Sequence, residues 1–523
     1  MNAEDRDRDL LLRGGSVRTL DPARPEAAAL VIRGDRIAAV LDDPADGPAR
    51  ARRIDLDGGC VLPGFTDAHV HFPSWALARG QLQLTRVRSL PEALARVAEA
   101  AAGRPRGAWL RGGGWRDELW PSEDRPDRWA LDAVTAHLPV ALRSQDGHSL
   151  WLNSAALAIA GEDLETPGGV VERDPAGEPT GILREEAAWR FQARFAAGSE
   201  EVLGAMKAAL PAVAAAGVVA LHDKDGGRGA PQHFATLRDA GELTVRVWQS
   251  LPAEGLDALM ALAVDAGVPV ASPRHPAAGE LVRIGYVKAF MDGTLGSRTA
   301  RLLDGSGIEI TSSEALAEII RRAASAGLPV AVHAIGDRAN REALDAFAAT
   351  EAIWRPLGLR HRIEHAQCVH ADDLPRFAQL GITASVQYSH ATSDQDLVER
   401  IWGARGAHSY PYRSLLDAGT RLAAGSDAPV EPLDPVAGLR AAVYRTIGDR
   451  PPWRPEQAIE LTAALGSFTR EPAWLERAED SRGMLRAGLA ADLIVLDRDP
   501  VADLGLARVK ATMLAGRWLL APP

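Results

Sequence analysis

Cysteine is almost missing from this sequence: Cys60 and Cys368 are the two in 523 residues. Two thiols cannot build a disulfide framework, so a packed core must hold the fold, and the pattern suits a reducing compartment; the expected location is cytoplasmic. Positive charge is also in short supply. The formal net charge is −11, from 59 Lys and Arg against 70 Asp and Glu. Such a surface has no general attraction for nucleic acid or anionic lipid, and neither is expected as a partner. Long apolar runs are missing too. The least polar stretch, AALPAVAAAGVVAL at 208–221, falls short of the roughly 20 residues that span a bilayer and carries Pro211 and Gly217. The opening MNAEDRDRDL is charged throughout and has no apolar h-region, so a secretory signal is not expected.

What is present is a long chain with a regular alternation. At 523 residues it exceeds one ordinary core but accommodates a barrel enzyme of about 250–400 residues with satellite modules. Residues 9–64 read as short β segments separated by glycine turns, and 482–523 repeat that style. Neither end can cover its own apolar face, so the two are expected to pair into one small β-sandwich module. From about 200 onward, strand-like runs such as GVVALHDKD, RIGYVKAFMDG, LPVAVHAIGD and RLAAGSDAPV alternate with Ala-rich segments of helical periodicity. With the run ending in HVH, they make eight strands. The expected fold is α/β: a distorted (β/α)8 TIM barrel with its active site at the C-terminal strand ends. The interval 76–205 breaks the rhythm, is rich in tryptophan, and reads as an α/β insertion after barrel strand one. The expected organisation is therefore 1–64 and 481–523 for the terminal β module, 65–75 for barrel strand one, 76–205 for an inserted subdomain over the barrel mouth, and 206–480 for the rest of the barrel.

The stretch VLPGFTDAHVHF at 61–72 places His69 and His71 two residues apart at a strand end, on one face, where both imidazoles reach a common point. An isolated pair of this kind could be an accident of a half-buried strand. Other strands end alike, however: His333 closes LPVAVH, His365 closes RHRIEH and Asp427 closes RLAAGSD, while Lys288 lies within GYVKAF. Nitrogen and carboxylate donors gathered at a barrel mouth suit a divalent metal, zinc first by ligand type, with manganese, iron or nickel also compatible. Such an ion lowers the pKa of water to about 7 and polarises a substrate oxygen, which points to hydrolysis.

These residues resemble the amidohydrolase superfamily: PGFTDAHVH, Lys288 on the fourth strand, HAIGDRAN, RIEHAQ and GSDAPVEP. More narrowly, KAFMDGTLGSRTA, HAIGDRAN, SHATSD and GSDAPVEP look like the amidohydrolase-3 branch that contains N-substituted formamide deformylase. The resemblance implies two zinc ions. His69 and His71 would bind the more buried one, His333 and His365 the outer one, and Lys288, carboxylated on its amine, would bridge them. Asp427 would touch the buried metal and shuttle a proton from a metal-activated hydroxide to the leaving amine. Lys224, in LHDKDG, reads as a residue of the mouth or behind the ligands.

His148 in SQDGHSLWLNSAAL and His390 in VQYSHATSD are candidate substrate contacts, each with a structural histidine as the alternative, and Trp115 is a candidate wall for an apolar substituent. Asp292 and Arg298 are expected to organise the loop after strand four. RGGGW at 111–115 is a turn, with neither the Walker lysine nor the helix start of a phosphate cradle. The function read from these residues is a hydrolase of a non-peptide C–N bond, an amide or N-acyl or N-formyl amine. The alternative is a deaminase of a heterocycle or amidine. A barrel that lost catalysis is disfavoured because all six candidate ligands are present. The expected partner is a small-molecule substrate, with a homodimer left open.

Overall fold

The computed structural model describes residues 9–522 apart from 136, 137, 162, 163, 228, 276 and 278. At its centre are eight strands: β1 (Phe65–Val70), β2 (Val218–Asp223), β3 (Arg246–Pro252), β4 (Val282–Phe290), β5 (Val330–Ala334), β6 (Arg362–His365), β7 (Thr383–Val386) and β8 (Leu422–Ala424). They form one parallel sheet in sequence order. The ladder runs from β8 round to β1, and the gap between those two is closed past the end of β8, where Val70 bridges Ala428. There Asp427 N donates to His69 O at 2.7 Å and His71 N to Ala428 O at 2.9 Å. The barrel is thus complete but distorted at the seam that carries three of the candidate site residues. A Cβ on Gly425 would stand 2.3 Å from His69 N, so only glycine lets the two chains meet here.

Helices follow the strands for local reasons. Ser312 caps Ser313–Ser325 by accepting Ala315 N at 3.2 Å, and Leu316, Ile320 and Ala323 make the buried stripe at helical spacing. Inside the barrel, Ala68, Trp248, Tyr286, Ala331 and Ala423, from five different strands, pack into a small core of their own. Tyr286 and Lys288 lie two apart on β4, and Ala331 and His333 two apart on β5, so both candidate ligands ride directly above this layer.

The two chain ends share a sheet. Cys60–Pro63 pairs antiparallel with Leu493–Leu496 in a six-stranded sheet, and a second sheet of four strands completes the module. Between β1 and β2 a six-stranded mixed sheet carries residues from Leu82–Gln83 to Pro179–Glu185. The helix Ser199–Ala215 runs unbroken through the boundary expected at 205/206, so the inserted sheet ends before that helix begins. Among the described residues, no helix is long and apolar enough to cross a membrane.

Candidate active site

His69 and His71 leave β1 with their rings 5.7 Å apart. Each has its Nδ1 held by a carboxylate: His69 by Glu364 Oε2 of β6 at 2.7 Å and His71 by Asp225 Oδ1, just beyond β2, at 2.7 Å. Both Nε2 atoms are therefore turned to one group. Asp427 Oδ1 lies 3.3 Å from Nε2 of His69 and 3.6 Å from Nε2 of His71. A carboxylate on Nδ1 fixes the tautomer that leaves the lone pair on Nε2, the arrangement found behind metal-binding histidines. Burial pushes His69 well below its ordinary pKa and keeps it neutral. At Asp225 burial works upward, but the His71 imidazole and Ser74 outweigh it and leave the carboxyl below its usual range.

Asp427 faces a second group with its other oxygen. Its Oδ2 is 3.9 Å from His365 Nδ1 and 3.8 Å from His390 Nε2. Three left-handed backbone positions make this possible. Glu364 and His365 are neighbours on β6, and a regular strand would send them to opposite faces. His365 takes φ 74° and Ala366 φ 45°, and this left-handed turn brings the imidazole back to the mouth beside Glu364. Asp427 has φ 59°, also at the centre of the site, where such strain concentrates. Buried Asp67 braces this turn: Oδ1 accepts the N–H groups of His69 at 3.1 Å and Ser426 at 2.9 Å, and Oδ2 accepts the Ser426 hydroxyl at 2.5 Å. Burial raises its carboxyl to about 6.

The remaining candidates ring the same space. His333 donates from Nε2 to Gly293 O at 3.1 Å, which leaves Nδ1 with the lone pair, and its ring lies 4.5 Å from that of His365. Among the described residues the buried Lys288 amine has no hydrogen-bond partner; it lies 4.7 Å over the Phe290 ring, and burial pulls its pKa down to about 8. His69 Nε2, His365 Nδ1 and His390 Nε2 are likewise buried without hydrogen-bond partners among the described residues. Orphaned ring nitrogens and an amine around one carboxylate are costly unless something bonds to them. The donor set, imidazole lone pairs with a carboxylate, fits a divalent transition metal. His69, His71 and Asp427 form one candidate ligand group, and His365, His390 and Asp427 another.

The space itself is a cavity of about 590 Å³ bordered by all of these side chains. The inserted sheet contributes His148, whose Nδ1 lies 2.6 Å from Glu185 Oε2 and whose ring is 5.4 Å from that of His333. Trp189, Phe290 and Leu295 add apolar wall.

The site differs from the sequence reading in three places. His390, expected to touch substrate, stands with Asp427 and His365 among the potential ligands, while the donor atoms of His333 fall outside both groups. Trp115, expected at the substrate, is a correction: its indole is buried in the core of the inserted sheet, donating to Leu142 O at 2.8 Å and packed 6.2 Å from the Trp151 ring. The tryptophan that reaches the cavity is Trp189, 5.1 Å from His148 and 5.4 Å from Phe290. Asp292 does organise the loop after β4, accepting the N–H groups of Arg301, Ile335 and Gly336 at 2.8, 3.0 and 2.8 Å, whereas Arg298 is exposed. Glu364, Asp225 and Glu185 were not singled out from sequence, although the first two stand in RIEHAQ and LHDKDG beside residues that were.

The chain matches known proteins over most of its length. The profile of the amidohydrolase family matches residues 52–519. Protein LONG AFTER FAR-RED 3 of Arabidopsis thaliana is 32% identical, covering 98% of this chain and 91% of its own. N-substituted formamide deformylase of Arthrobacter pascens is 29% identical, covering 94% of each chain. Among solved structures, an uncharacterized metal-dependent hydrolase of Pyrococcus furiosus superposes with a TM-score of 0.72 at 30% identity, covering 94% of this chain and all of the other.

Proposed function

This chain belongs to the amidohydrolase family, hydrolases of carbon–nitrogen bonds other than peptide bonds, and from that premise we propose that it cleaves the amide bond of an N-acyl amine, N-formyl amines included. The observation that carries the reading is the position of Asp427, whose two oxygens face two separate pairs of imidazoles at the floor of the cavity. A bound divalent cation, zinc first by ligand type, supplies Lewis-acid polarisation and acidifies water at this point. His69, His71 and Asp427 would hold one ion. His365 with His333 or His390 would hold a second, and Lys288 would bridge the two as its carbamate, an anion that an ammonium cannot replace.

The chain's own groups then divide the remaining work. Asp427 takes the proton of the attacking water and returns it to the nitrogen of the departing amine, so one carboxylate acts as base and then as acid. His148 faces the acyl side of the substrate from the inserted sheet. Trp189, Phe290 and Leu295 line the cavity as apolar wall and shelter the N-substituent from water. A volume of about 590 Å³ suits a small molecule and not a polymer. The name of the Arthrobacter pascens relative supports the N-formyl end of the class.

The test is a hydrolysis screen of metal-loaded protein against N-formyl, N-acetyl and N-carbamoyl amines and simple esters, scoring carboxylate and amine release. Turnover of N-acyl amines is expected. Ammonia release from purines, pyrimidines or amidines with no amide turnover would replace the reading with a deaminase.

A further inference from the structure

Lysine is rare in this chain: Lys207, Lys224, Lys288 and Lys510 are four among 59 Lys and Arg residues. Two of the four are buried in the barrel, and their surroundings differ. Lys288 has no hydrogen-bond partner among the described residues, whereas Lys224 donates to Glu364 Oε1 at 2.7 Å and sits 4.6 Å over the Tyr286 ring. Glu364 is fully buried and every oxygen is committed. Oε2 takes the Nδ1–H of His69 at 2.7 Å, and Oε1 also lies 2.8 Å from Arg362 Nε.

Arg362 is anchored from the barrel interior. Its Nη1 lies 2.8 Å from His222 Nδ1, and its guanidinium stacks 5.4 Å from Trp248 and 4.3 Å from Tyr286. His222 rests in turn on Glu476 Oε1 at 2.8 Å. Arg362 therefore pairs electrostatically with Oε1 from one side, its guanidinium set against Trp248 and Tyr286. A compact amine at 224 reaches the same oxygen from the side that borders the cavity.

We propose that Lys224 and Glu364 are a positioning pair, with Lys224 locking the Glu364 carboxylate so that it holds His69 in the tautomer and ring orientation that present Nε2 to a cation. Lys224 is thereby excluded as a metal ligand, and Lys288 is the barrel amine left without a hydrogen-bond partner among the described residues. Glu364 acts through His69 and touches neither substrate nor metal. Without Lys224, one oxygen keeps only Arg362, the carboxylate rotates, and the His69 ring loses its fixed partner. Outer partners of this kind typically contribute 10–100-fold to metal affinity. The inference concerns the metal centre and does not depend on which amide is cleaved.

The test is zinc affinity of the folded, metal-free full chain, measured by competition with a chromophoric chelator, with thermal unfolding recorded on the same samples. Glu364→Gln is expected to weaken zinc binding 10–100-fold and Lys224→Met about tenfold, with Lys207→Met as an unaffected surface control. Lys224→Gln, which keeps an N–H donor, is expected to recover part of the loss. The cobalt(II)-loaded Glu364→Gln protein should show shifted visible absorption bands as the His69 ring reorients. Zinc affinity within twofold of the unmodified chain in folded Lys224→Met would overturn the proposal, as would a loss that Lys224→Gln does not lessen. If Lys224→Met does not fold, Glu364→Gln, isosteric with the native side chain, decides by the same reading. If the unmodified chain binds no zinc at all, the metal centre itself falls, and the positioning pair with it.

Discussion

His148 Nδ1 lies 2.6 Å from Glu185 Oε2, so an imidazole in the cavity wall is held by a wholly buried carboxylate of the same inserted sheet. Glu185 also accepts the hydroxyls of Ser297 at 3.0 Å and Thr299 at 2.5 Å from the loop after β4. Asp146 accepts the Thr294 hydroxyl at 2.6 Å from that same loop. The motif DGTLGS thus acts as a dock for two carboxylates of the insertion. A Cβ on Gly293 would come within 2.0 Å of Thr299 Oγ1 and 2.5 Å of Glu185 Oε1, which is why glycine stands there. The insertion is fastened to the barrel at the point where it delivers His148 to the site.

This fastening predicts a separation between metal and turnover. Burial works to lower the His148 pKa, but Glu185, with Asp146 and Asp427, outweighs it and the group ends above its ordinary value, suited to donate a hydrogen bond to an acyl oxygen. Loss of one such donor typically costs 10²–10³ in kcat. His148→Ala should therefore lose turnover of about that size with metal content unchanged by elemental analysis. A fall in metal matching the fall in rate would instead make His148 part of the metal centre.

The two tryptophans of the insertion should behave oppositely. Trp115 is about 1% exposed in a packed core, so Trp115→Ala should cost stability of the order of 3–5 kcal/mol and lower the unfolding midpoint. Trp189 borders the cavity, so Trp189→Ala should leave the midpoint nearly unchanged and shift relative kcat/KM toward amines with bulkier substituents. A substrate profile indifferent to Trp189 would remove it from the substrate wall.

Lys288 gives a pH prediction with a definite sign. Its pKa is pulled down to about 8 by burial, so below that pH it is an ammonium with no lone pair for CO2. The rate at which metal-free protein is activated by zinc at fixed dissolved CO2 should rise about tenfold per pH unit up to about 8 and then level off. An ordinary lysine would keep that rate rising to about 10.4. Lys288→Met should abolish the CO2 dependence.

Much of this centre is legible in the sequence, and what is not has physical causes. The eight strands announce themselves as apolar runs, and ligands at strand ends follow from barrel geometry, so His69, His71, His365 and Asp427 meet as their positions imply. Glu364 was hidden by the two-residue period of a strand, which assigns it to the face opposite His365; the left-handed turn at φ 74° is a tertiary effect that sequence does not display. Asp225 lies two residues beyond the end of β2, where no periodicity places a side chain. Trp115 and Trp189 are equally apolar in sequence; Trp115 ends a strand inside the inserted sheet and is enclosed by its core, whereas Trp189 lies on the helix Glu186–Arg194 that follows the sheet and borders the cavity.

Asp427 is the residue on which the proposed chemistry turns, because the same carboxylate faces both imidazole pairs and carries the proton. Asp427→Asn retains one oxygen, which suffices for the Oδ1 position 3.3 Å from His69 Nε2, while the amide nitrogen takes the place of Oδ2 near His365 and His390. The ion held by His69 and His71 should therefore largely remain, whereas turnover should fall by the 10²–10⁴ expected when a general acid–base group is lost. His69→Ala is the contrasting case: removal of a direct ligand should lower zinc content and activity together. The measurement is zinc per chain alongside kcat for both variants. Near-normal kcat in fully metallated Asp427→Asn would pass the proton to another cavity residue, His148 or His390, and would leave the hydrolase assignment standing without this mechanism.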